Sequence, residues 1–272
     1  MASAKDIVIK PISAKAANDL VKRIHYSGKV VSNSNLHFGA FLNGRLEGAM
    51  SFGSPMDKRK VLTLVEGTKW NGMLELNRMA FSDALPKNSE SRAMSIVFRL
   101  IRKHYPHIDW ILSFSDGAQC GDGTIYRASG FLLTQIKTNS SLYGTPSGVP
   151  IARMTWDSAT PKQRVNIAKQ YGFKEYYASC FLAKTVKMNN CEPLKGYQLR
   201  YIYFLNPKAK ERLTVPILPF SKIDEMGAGM YKGQSKRDKQ ANSGDQSESG
   251  GAAPTVTLQS SPPLSNEVSA NG

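Results

Sequence analysis

The segment that decides the fold is Asp116-Gly-Ala-Gln-Cys-Gly-Asp-Gly-Thr-Ile-Tyr-Arg-Ala-Ser-Gly-Phe131. It follows the apolar run Trp110–Phe114, whose length and composition predict a buried strand. The segment itself predicts a glycine-rich turn and then a short helix that ends at Gly130. A polar, glycine-rich stretch directly after a strand is where α/β proteins bind their ligands. The segment therefore predicts an α/β fold and the edge of the sheet at which a site is expected.

The rest of the body alternates between strand and helix patterns. The Asn43-Gly44 dipeptide between two of the strands is a strong hairpin signal. Because the early strands are joined by a hairpin and the later ones by helices, we predict a mixed central sheet flanked by helices. The predicted strands are Ile7–Ile9, His37–Leu42, Leu46–Phe52, Met73–Phe81, Ile108–Phe114, Leu132–Ile136 and Gln198–Leu205, and the predicted helices are Ser13–Ile24, Ser89–Tyr105 and Pro161–Tyr171.

A change in composition near residue 233 divides the chain. Residues 1–232 form one predicted domain, in which 140–195 are an elaboration rather than an independent domain. Residues 233–272 are rich in Gln, Ser, Gly, Asn, Pro and Ala and hold almost no large apolar side chains. Such a segment cannot bury enough surface to offset its ordering entropy, so we predict a disordered, low-complexity tail.

The charge of the chain indicates the class of partner. The formal net charge is +15, and the four basic residues after Tyr231 are matched there by four acidic ones, so the whole excess lies on residues 1–231. A body this basic favours a polyanion such as nucleic acid.

No apolar run approaches the ~18 residues needed to span a bilayer, which predicts a soluble intracellular protein with no membrane partner. The cysteines Cys120, Cys180 and Cys191 are odd in number and are not spaced like a zinc site.

Three residues stand out from their positions alone. Asp116 lies where a strand ends, a position favoured for catalysis, although an Asx-turn is the alternative. Arg78 lies in the middle of a strand, where it is costly unless it is paired or meets an anion. Glu75 is a possible partner of Arg78, but in a regular strand the two side chains point to opposite faces, and we expect Arg78 to contact a cofactor or a DNA phosphate. Cys120 lies inside the glycine-rich loop and is a further candidate.

The order of elements, with its central strand, polar loop and long helix, resembles the GNAT acyltransferase fold. The resemblance implies acyl-CoA, such as acetyl-CoA, as cofactor, with its pyrophosphate at the start of the long helix, here Lys87-Asn-Ser-Glu-Ser91. Asn88, Ser89 and Ser91 are then the expected cofactor contacts, together with Arg78. The usual glycine-rich signature of the family is absent at this position. Tyr126, one turn before Gly130-Phe131, resembles the tyrosine that protonates the departing thiolate in many members.

Four blocks narrow the resemblance to the Mom family of DNA-modifying proteins from bacteriophages related to Mu and from prophages. The blocks are His25-Tyr-Ser-Gly28, Glu75-Leu-Asn-Arg-Met-Ala-Phe81, Asn88-Ser-Glu-Ser-Arg92 and Asp116-Gly-Ala-Gln-Cys-Gly-Asp-Gly-Thr-Ile-Tyr126. The resemblance implies an enzyme of the host bacterial cytoplasm that acts on double-stranded DNA. It would convert the N6 amine of adenine to a carbamoylmethyl (acetamido) derivative, which shields phage DNA from host restriction enzymes.

The same resemblance implies the roles of particular residues. Asp116, Tyr126, His25 and Tyr26 are the expected catalytic residues, with His25 and Tyr26 on the side of the acceptor. His25, Tyr26 and Asp116 together form an oxygen–nitrogen ligand set that is acceptable to iron. The metal itself is left open by the sequence.

Two other functions remain open from the residues alone. The first is a conventional GNAT N-acetyltransferase that acts on the amine of a small molecule or a protein and turns over acetyl-CoA without DNA. The second is a DNA-binding protein that keeps the fold but not the catalysis, so that Asp116→Ala would leave its affinity for DNA unchanged.

Overall fold

The central sheet consists of the strands that the alternating apolar pattern predicts. The computed structural model describes residues 2–231 and 234–235. The strands are β1 Val8–Pro11, β2 Ser34–Leu42, β3 Arg45–Gly53, β4 Met73–Phe81, β5 Trp110–Asp116, β6 Leu132–Thr138, β7 Leu142–Tyr143, β8 Ile151–Ala152, β9 Tyr197–Phe204, β10 Met230–Tyr231 and β11 Gln234–Ser235. The helices are α1 Ala14–Ile24, α2 Lys58–Leu62, α3 Ser89–His104, α4 Thr124–Ala128, α5 Arg153–Asp157, α6 Pro161–Tyr171, α7 Leu182–Met188 and α8 Ser221–Glu225, with 3-10 helices at Ala4–Asp6 and Pro207–Arg212.

Seven of these strands form one mixed sheet in the order β1-β2-β3-β4-β5-β9-β6. The β4–β5 pair is parallel, and the other neighbouring pairs of this sheet are antiparallel. A parallel pair requires a crossover, and α3 supplies it. The predicted fold class, α/β with a mixed central sheet flanked by helices, is confirmed.

Helices cover both faces of the sheet. Ala49 and Met50 are neighbours on β3 and therefore point to opposite faces. Ala49 packs with Ala17 and Leu20 of α1, whereas Met50 belongs to the larger core that includes the apolar stripe of α3. Ser13 caps α1 as expected, since its side chain accepts a hydrogen bond from the Ala16 N–H.

The parallel strands β4 and β5 separate soon after they begin. Their register joins Met73 to Trp110, Leu74 to Ile111 and Glu75 to Leu112. Beyond Leu112, β5 continues to Asp116 paired with β9 on its other side. The separation leaves a gap between the second half of β4 and the end of β5, and this gap positions the candidate site.

A bulge in β4 changes which side chains share a face. Leu76 pairs with Phe52 and Arg78 pairs with the adjacent Ser51, so Asn77 is an extra residue with no partner of its own on β3. A bulge of this kind interrupts the regular alternation of side chains. The expectation that Glu75 and Arg78 point to opposite faces is therefore wrong.

The elaboration predicted at 140–195 lies between the neighbouring strands β6 and β9. It holds the two-stranded sheet β7–β8 and the helices α5, α6 and α7, of which α6 was predicted. Its strands pair with each other and add nothing to the central sheet. It also has a hydrophobic cluster of its own, formed by Ile151, Trp156, Ala168, Tyr171, Phe173, Leu182 and Val186.

The predicted tail, 233–272, lies almost entirely outside the described residues. Gln234 and Ser235 are described, and they form β11, which pairs with β10. Within residues 2–231 and 234–235, none of the helices combines the length and the apolar character that a membrane crossing needs.

Candidate active site

A cavity of about 430 Å³ opens where β4 and β5 separate. Its wall includes the second half of β4, the end of β5, the glycine-rich loop after β5 and the chain that follows α1. Five of the residues selected from the sequence line it together: His25, Tyr26, Arg78, Asp116 and Tyr126. Cys120, the further candidate, also lines it. Residues far apart in the sequence thus meet at one place.

Asp116 ends β5 and organises the loop that follows. Its Oδ1 accepts a hydrogen bond of 2.9 Å from the Ala118 N–H, and its Oδ2 accepts one of 3.0 Å from the Gln119 side-chain amide. Its carbonyl oxygen accepts the Cys120 N–H at 2.8 Å. The Asx-turn considered from the sequence is therefore present. Because the same side chain lines the cavity, the turn also fixes the direction of the carboxylate.

Tyr126 is buried at the base of the cavity in α4. Its ring packs against those of Phe131 and Tyr201, with centroids 5.1 and 5.2 Å away. Burial raises the pKa of Tyr126 to about 12. The hydroxyl therefore keeps its proton at neutral pH and suits the donation of a proton rather than its removal.

His25 and Tyr26 follow the end of α1 and enter the cavity from its open side. The Ser27 N–H donates a hydrogen bond of 3.1 Å to His25 Nδ1, which assigns the proton of the neutral imidazole to Nε2. Burial and the Arg78 guanidinium lower the pKa of His25 to about 4. Tyr26 is 52% exposed as a whole. Desolvation of its hydroxyl and the nearby Asp116 carboxylate raise the pKa of Tyr26 well above its ordinary value.

Arg78 joins β4 to the chain after α1. Its Nε donates a hydrogen bond of 2.8 Å to the Lys29 carbonyl oxygen, and its Nη1 donates one of 2.7 Å to the Asn77 carbonyl oxygen. These two bonds satisfy part of a guanidinium that lies inside a sheet. The positive charge still faces the cavity that Arg78 lines, as the predicted contact with an anion requires.

Glu75 is a functional candidate that the sequence did not indicate, since it entered there only as a possible partner of Arg78. It lines the cavity, and burial raises the pKa of Glu75 to about 7, against the opposing effects of a hydrogen bond with Asn77 and of the Arg78 charge. A carboxyl group that titrates near neutral pH suits proton transfer. Only the bulge at Asn77 places Glu75 and Arg78 within electrostatic reach of each other. No sequence pattern indicated that bulge.

The other three predicted cofactor contacts lie elsewhere. Asn88, Ser89 and Ser91 form the start of α3 and are not part of the cavity wall. The hydroxyl groups of Ser89 and Ser91 donate to the carbonyl oxygens of Pro86 and Asn88, at 2.6 and 3.1 Å. A hydroxyl has one proton, so neither can donate to a phosphate oxygen at the same time. These hydroxyls do not fit the predicted role in this arrangement, and a phosphate group here would rest on backbone N–H groups.

The suggested iron ligands His25, Tyr26 and Asp116 all line the cavity. Within the described part of the chain, no group of three or more His, Cys, Asp or Glu side chains is placed to hold a metal ion, and a tyrosine ligand such as Tyr26 does not count toward such a group. Burial raises the pKa of the Tyr26 phenol, and an iron ion bound here would have to displace its proton, because metal ligands are deprotonated. The iron site stays a prediction.

Comparisons with known proteins agree with the resemblance seen in the sequence. A model of the "Mom protein family" matches residues 6–222. The "Methylcarbamoylase mom" of Escherichia phage Mu is 32% identical over 214 residues, which cover 78% of this chain and 81% of that protein.

Similar solved structures are acetyltransferases. The ribosomal-protein-S18-alanine N-acetyltransferase from Escherichia coli has a TM-score of 0.39 at 10% identity, covering 74% of this chain and 94% of its own. The IAA acetyltransferase from Bacillus cereus has a TM-score of 0.37 at 10% identity, covering 73% of this chain and 99% of its own. TM-scores this low add nothing about activity. By its match over residues 6–222, the chain belongs to the Mom protein family.

Proposed function

We propose that this chain is a DNA-modifying enzyme that converts the N6 amine of adenine to its carbamoylmethyl derivative and so protects phage DNA from host restriction. The proposal is supported by family membership and by the name of the phage Mu relative, a methylcarbamoylase. The observation that carries it is the meeting of His25, Tyr26, Arg78, Asp116 and Tyr126 in one cavity.

The cavity has the size and the polar side chains that an extruded base requires. Adenine N6 is paired inside the duplex, so an enzyme that acts there must rotate the base out of the stack. A volume of about 430 Å³ lies within the usual range of small-molecule sites. Carboxylates, an arginine and tyrosine hydroxyls converge on it and offer partners for the edge of the base.

The titrating groups divide into a proton acceptor and a proton donor. The N6 lone pair is delocalised into the ring, so its attack requires that the N6 proton be removed. Glu75, with a pKa of about 7, is the group in the wall best matched to accept it. Tyr126, protonated because of its pKa of about 12, is matched to protonate the leaving group. Asp116 holds the loop between them through its Asx-turn.

The charge of the body supports a DNA substrate independently of the cavity. The net charge of +15 favours contact with many phosphates, each of which releases condensed counterions. The affinity for DNA should then fall steeply with salt. An acetyltransferase for small amines has no need of such a charge.

The product places a condition on the donor. An acetyl group from acetyl-CoA joins the amine through its carbonyl carbon. A carbamoylmethyl group joins it through a methylene and is heavier than acetyl by one nitrogen and one hydrogen. Simple acyl transfer from an acyl-CoA, the cofactor that the fold resemblance implies, therefore cannot give this product, which needs a donor that supplies the methylene bond and the additional nitrogen. The mass of the modified nucleoside distinguishes the two outcomes.

The test is mass spectrometry of nucleosides from plasmid DNA of bacterial cells that express this chain. The control is the Asp116→Ala, Tyr126→Phe double variant, with its folding checked by circular dichroism. Deoxyadenosine heavier by a carbamoylmethyl group, and absent with the variant, is the expected result. An N-acetyl mass would indicate ordinary acetyl transfer to DNA. Unmodified deoxyadenosine from well-expressed, folded protein would overturn the proposal. If the double variant then also bound DNA as tightly as the unsubstituted chain, a non-catalytic DNA-binding protein would be favoured.

A further inference from the structure

A tyrosine from beyond the region matched by the family model contributes to the cavity wall. The family match ends at residue 222, whereas Tyr231 lies in β10 and lines the cavity. An antiparallel bridge joins Tyr231 to Gly121 of the glycine-rich loop. The strand β10 is thus joined by a β-bridge to the glycine-rich loop that follows Asp116.

Gly117 and Gly121 of that loop lie against β10. A Cβ atom at Gly117 would lie 3.2 Å from the Tyr197 carbonyl oxygen, which is a tight contact, and 3.4 Å from the Met230 Cβ. At Gly121 the Tyr231 ring is in ordinary contact, with its Cδ2 atom 3.6 Å from the Cβ position. Met230 is buried and anchors the short strand, and the bridge to Gly121 holds the Tyr231 backbone beside the loop.

Two of the tyrosines in the wall of the cavity are exposed. Tyr26 is 52% exposed and Tyr231 is 46% exposed, whereas Tyr126 is buried. The wall also carries the polar side chains Glu75, Arg78 and Asp116. An exposed ring at the edge of a polar cavity provides the apolar face on which a base extruded from the duplex stacks, while the polar groups contact its edge.

We propose that Tyr231, together with Tyr26, forms a stacking subsite for the purine ring of the extruded adenine. This inference rests on the proposed function and adds to it a substrate contact outside the region matched by the family model. Tyr231 acts through the face of its ring, so its hydroxyl is dispensable and its ring is not.

Substitutions at Tyr231 separate stacking from packing. Tyr231→Phe keeps the ring, and Tyr231→Leu keeps apolar volume against Gly121 but removes the aromatic face. Stacking on an aromatic side chain is worth roughly 5- to 100-fold in binding. Tyr231→Phe should therefore match the unsubstituted chain, and Tyr231→Leu should be weaker by roughly tenfold or more. The control is Tyr105→Ala, another exposed tyrosine, which ends α3 near the start of β5.

The experiment has two readouts on the full-length chain. Nucleoside mass spectrometry and sequencing first locate the adenines that the unsubstituted chain modifies in cells. Duplexes with 2-aminopurine at those positions then report extrusion and stacking, because the fluorescence of this base changes when it leaves the stack. We expect a weaker 2-aminopurine response and less modification for Tyr231→Leu, but not for Tyr231→Phe or Tyr105→Ala.

The possible failures are distinguishable. Normal modification and a normal 2-aminopurine response for Tyr231→Leu would overturn the stacking subsite alone and leave the proposed function in place. Equal losses for Tyr231→Phe and Tyr231→Leu would also overturn it, since the hydroxyl would then matter and not the ring face. An unsubstituted chain that modifies no adenine would remove the proposed function and this inference with it.

Discussion

The Nε atom of Arg78 donates a hydrogen bond of 2.8 Å to the carbonyl oxygen of Lys29. Lys29 in turn contacts the elaboration, because its Nζ donates to Thr155 Oγ1 at 3.1 Å and to the Tyr171 hydroxyl at 3.5 Å. Lys29 therefore connects the central strand β4, the chain that carries His25 and Tyr26, and the insertion between β6 and β9. The elaboration therefore contacts the chain segment on which His25 and Tyr26 lie.

Arg78→Lys should reduce DNA modification by about tenfold or more, although the charge is kept. Lysine has no fork of N–H groups, so it cannot bond the Lys29 and Asn77 carbonyl oxygens in the same geometry. We expect a loss of about 1–2 kcal/mol in the free energy of unfolding. Nucleoside mass spectrometry and urea denaturation measure the two effects. The control is Arg99→Lys at an exposed position of α3, which makes the same exchange away from the cavity; full activity of Arg78→Lys would show that the charge alone suffices.

Glu75→Gln should stabilise the protein in a pH-dependent way. The pKa of Glu75 is about 7 in the folded protein and near its ordinary 4.5 in the unfolded chain. Between these values the folded state binds more protons, so the contribution of Glu75 to stability falls as the pH rises through this window. The variant should equal the unsubstituted protein near pH 4.5 and exceed it by on the order of 2 kcal/mol at pH 8.

Urea denaturation at the two pH values checks this expectation, with Glu66→Gln at an exposed position as the matched control. The same variant should lose modification, because glutamine cannot accept the N6 proton. A stability difference that is equal at both pH values would contradict the raised pKa. Full modification by a folded Glu75→Gln protein would contradict the proton-accepting role.

His25→Asn should change stability with the opposite dependence on pH. The pKa of His25 falls from its ordinary 6.5 to about 4 on folding. Between these values the unfolded chain binds more protons, so the contribution of His25 to stability rises with pH through this window. Relative to the unsubstituted protein, the variant should therefore be more stable at pH 4.5 than at pH 7. Thermal melts at both pH values test this, and a constant difference would be inconsistent with a buried, neutral imidazole.

Much of the fold could be predicted from the sequence because local patterns determine it. The Asn43-Gly44 hairpin, the strand Met73–Phe81 and the helix that begins at Ser89 are found as expected. The insertion was harder to predict, since the short helices α5 and α7 have no long periodic pattern and are held by tertiary contacts. The meeting of His25, Asp116 and Tyr126 came from the family resemblance rather than from any spacing.

Two members of the cavity wall could not be predicted, for different physical reasons. Glu75 depends on the bulge at Asn77, and a bulge is set by the pairing of strands rather than by the residues of one strand. Tyr231 reaches the cavity wall because of a bridge to Gly121, which is distant in the sequence. The two residues Met230 and Tyr231 form no local pattern from which this bridge could be predicted.

Tyr126→Phe should reduce modification by about 100-fold or more while it changes stability little. The phenylalanine ring keeps the contacts with Phe131 and Tyr201, whereas the hydroxyl, which is proposed to donate the proton, is lost together with its contact to the Ser113 side chain. Tyr201→Phe is the structural comparison, since the Tyr201 hydroxyl donates to the Asp122 carbonyl oxygen in the glycine-rich loop. We expect thermal melts to show the larger loss for Tyr201→Phe. Activity of Tyr126→Phe equal to that of the unsubstituted chain would exclude Tyr126 as the donor.

Arg164→Met should unfold the elaboration and leave the central sheet folded. Buried Arg164 donates to the carbonyl oxygens of Trp156, Asp157, Ala178 and Cys180 at 2.8–3.1 Å. Methionine fills the space but leaves these acceptors without a donor, which should cost about 3 kcal/mol or more. Because the elaboration has its own hydrophobic cluster, the loss should appear first as local opening.

Hydrogen exchange measured by mass spectrometry would locate that opening. In Arg164→Met, peptides from 140–195 should exchange faster, while peptides from β4 and β5 stay protected. Modification should fall as well, since Lys29 would lose its partners Thr155 and Tyr171 and the chain with His25 and Tyr26 would lose its support. The control is Arg153→Met at the exposed start of α5, where one ion pair with Asp157 is removed and little should change. Uniformly faster exchange across the sheet and the elaboration would mean that the two fold as one cooperative unit.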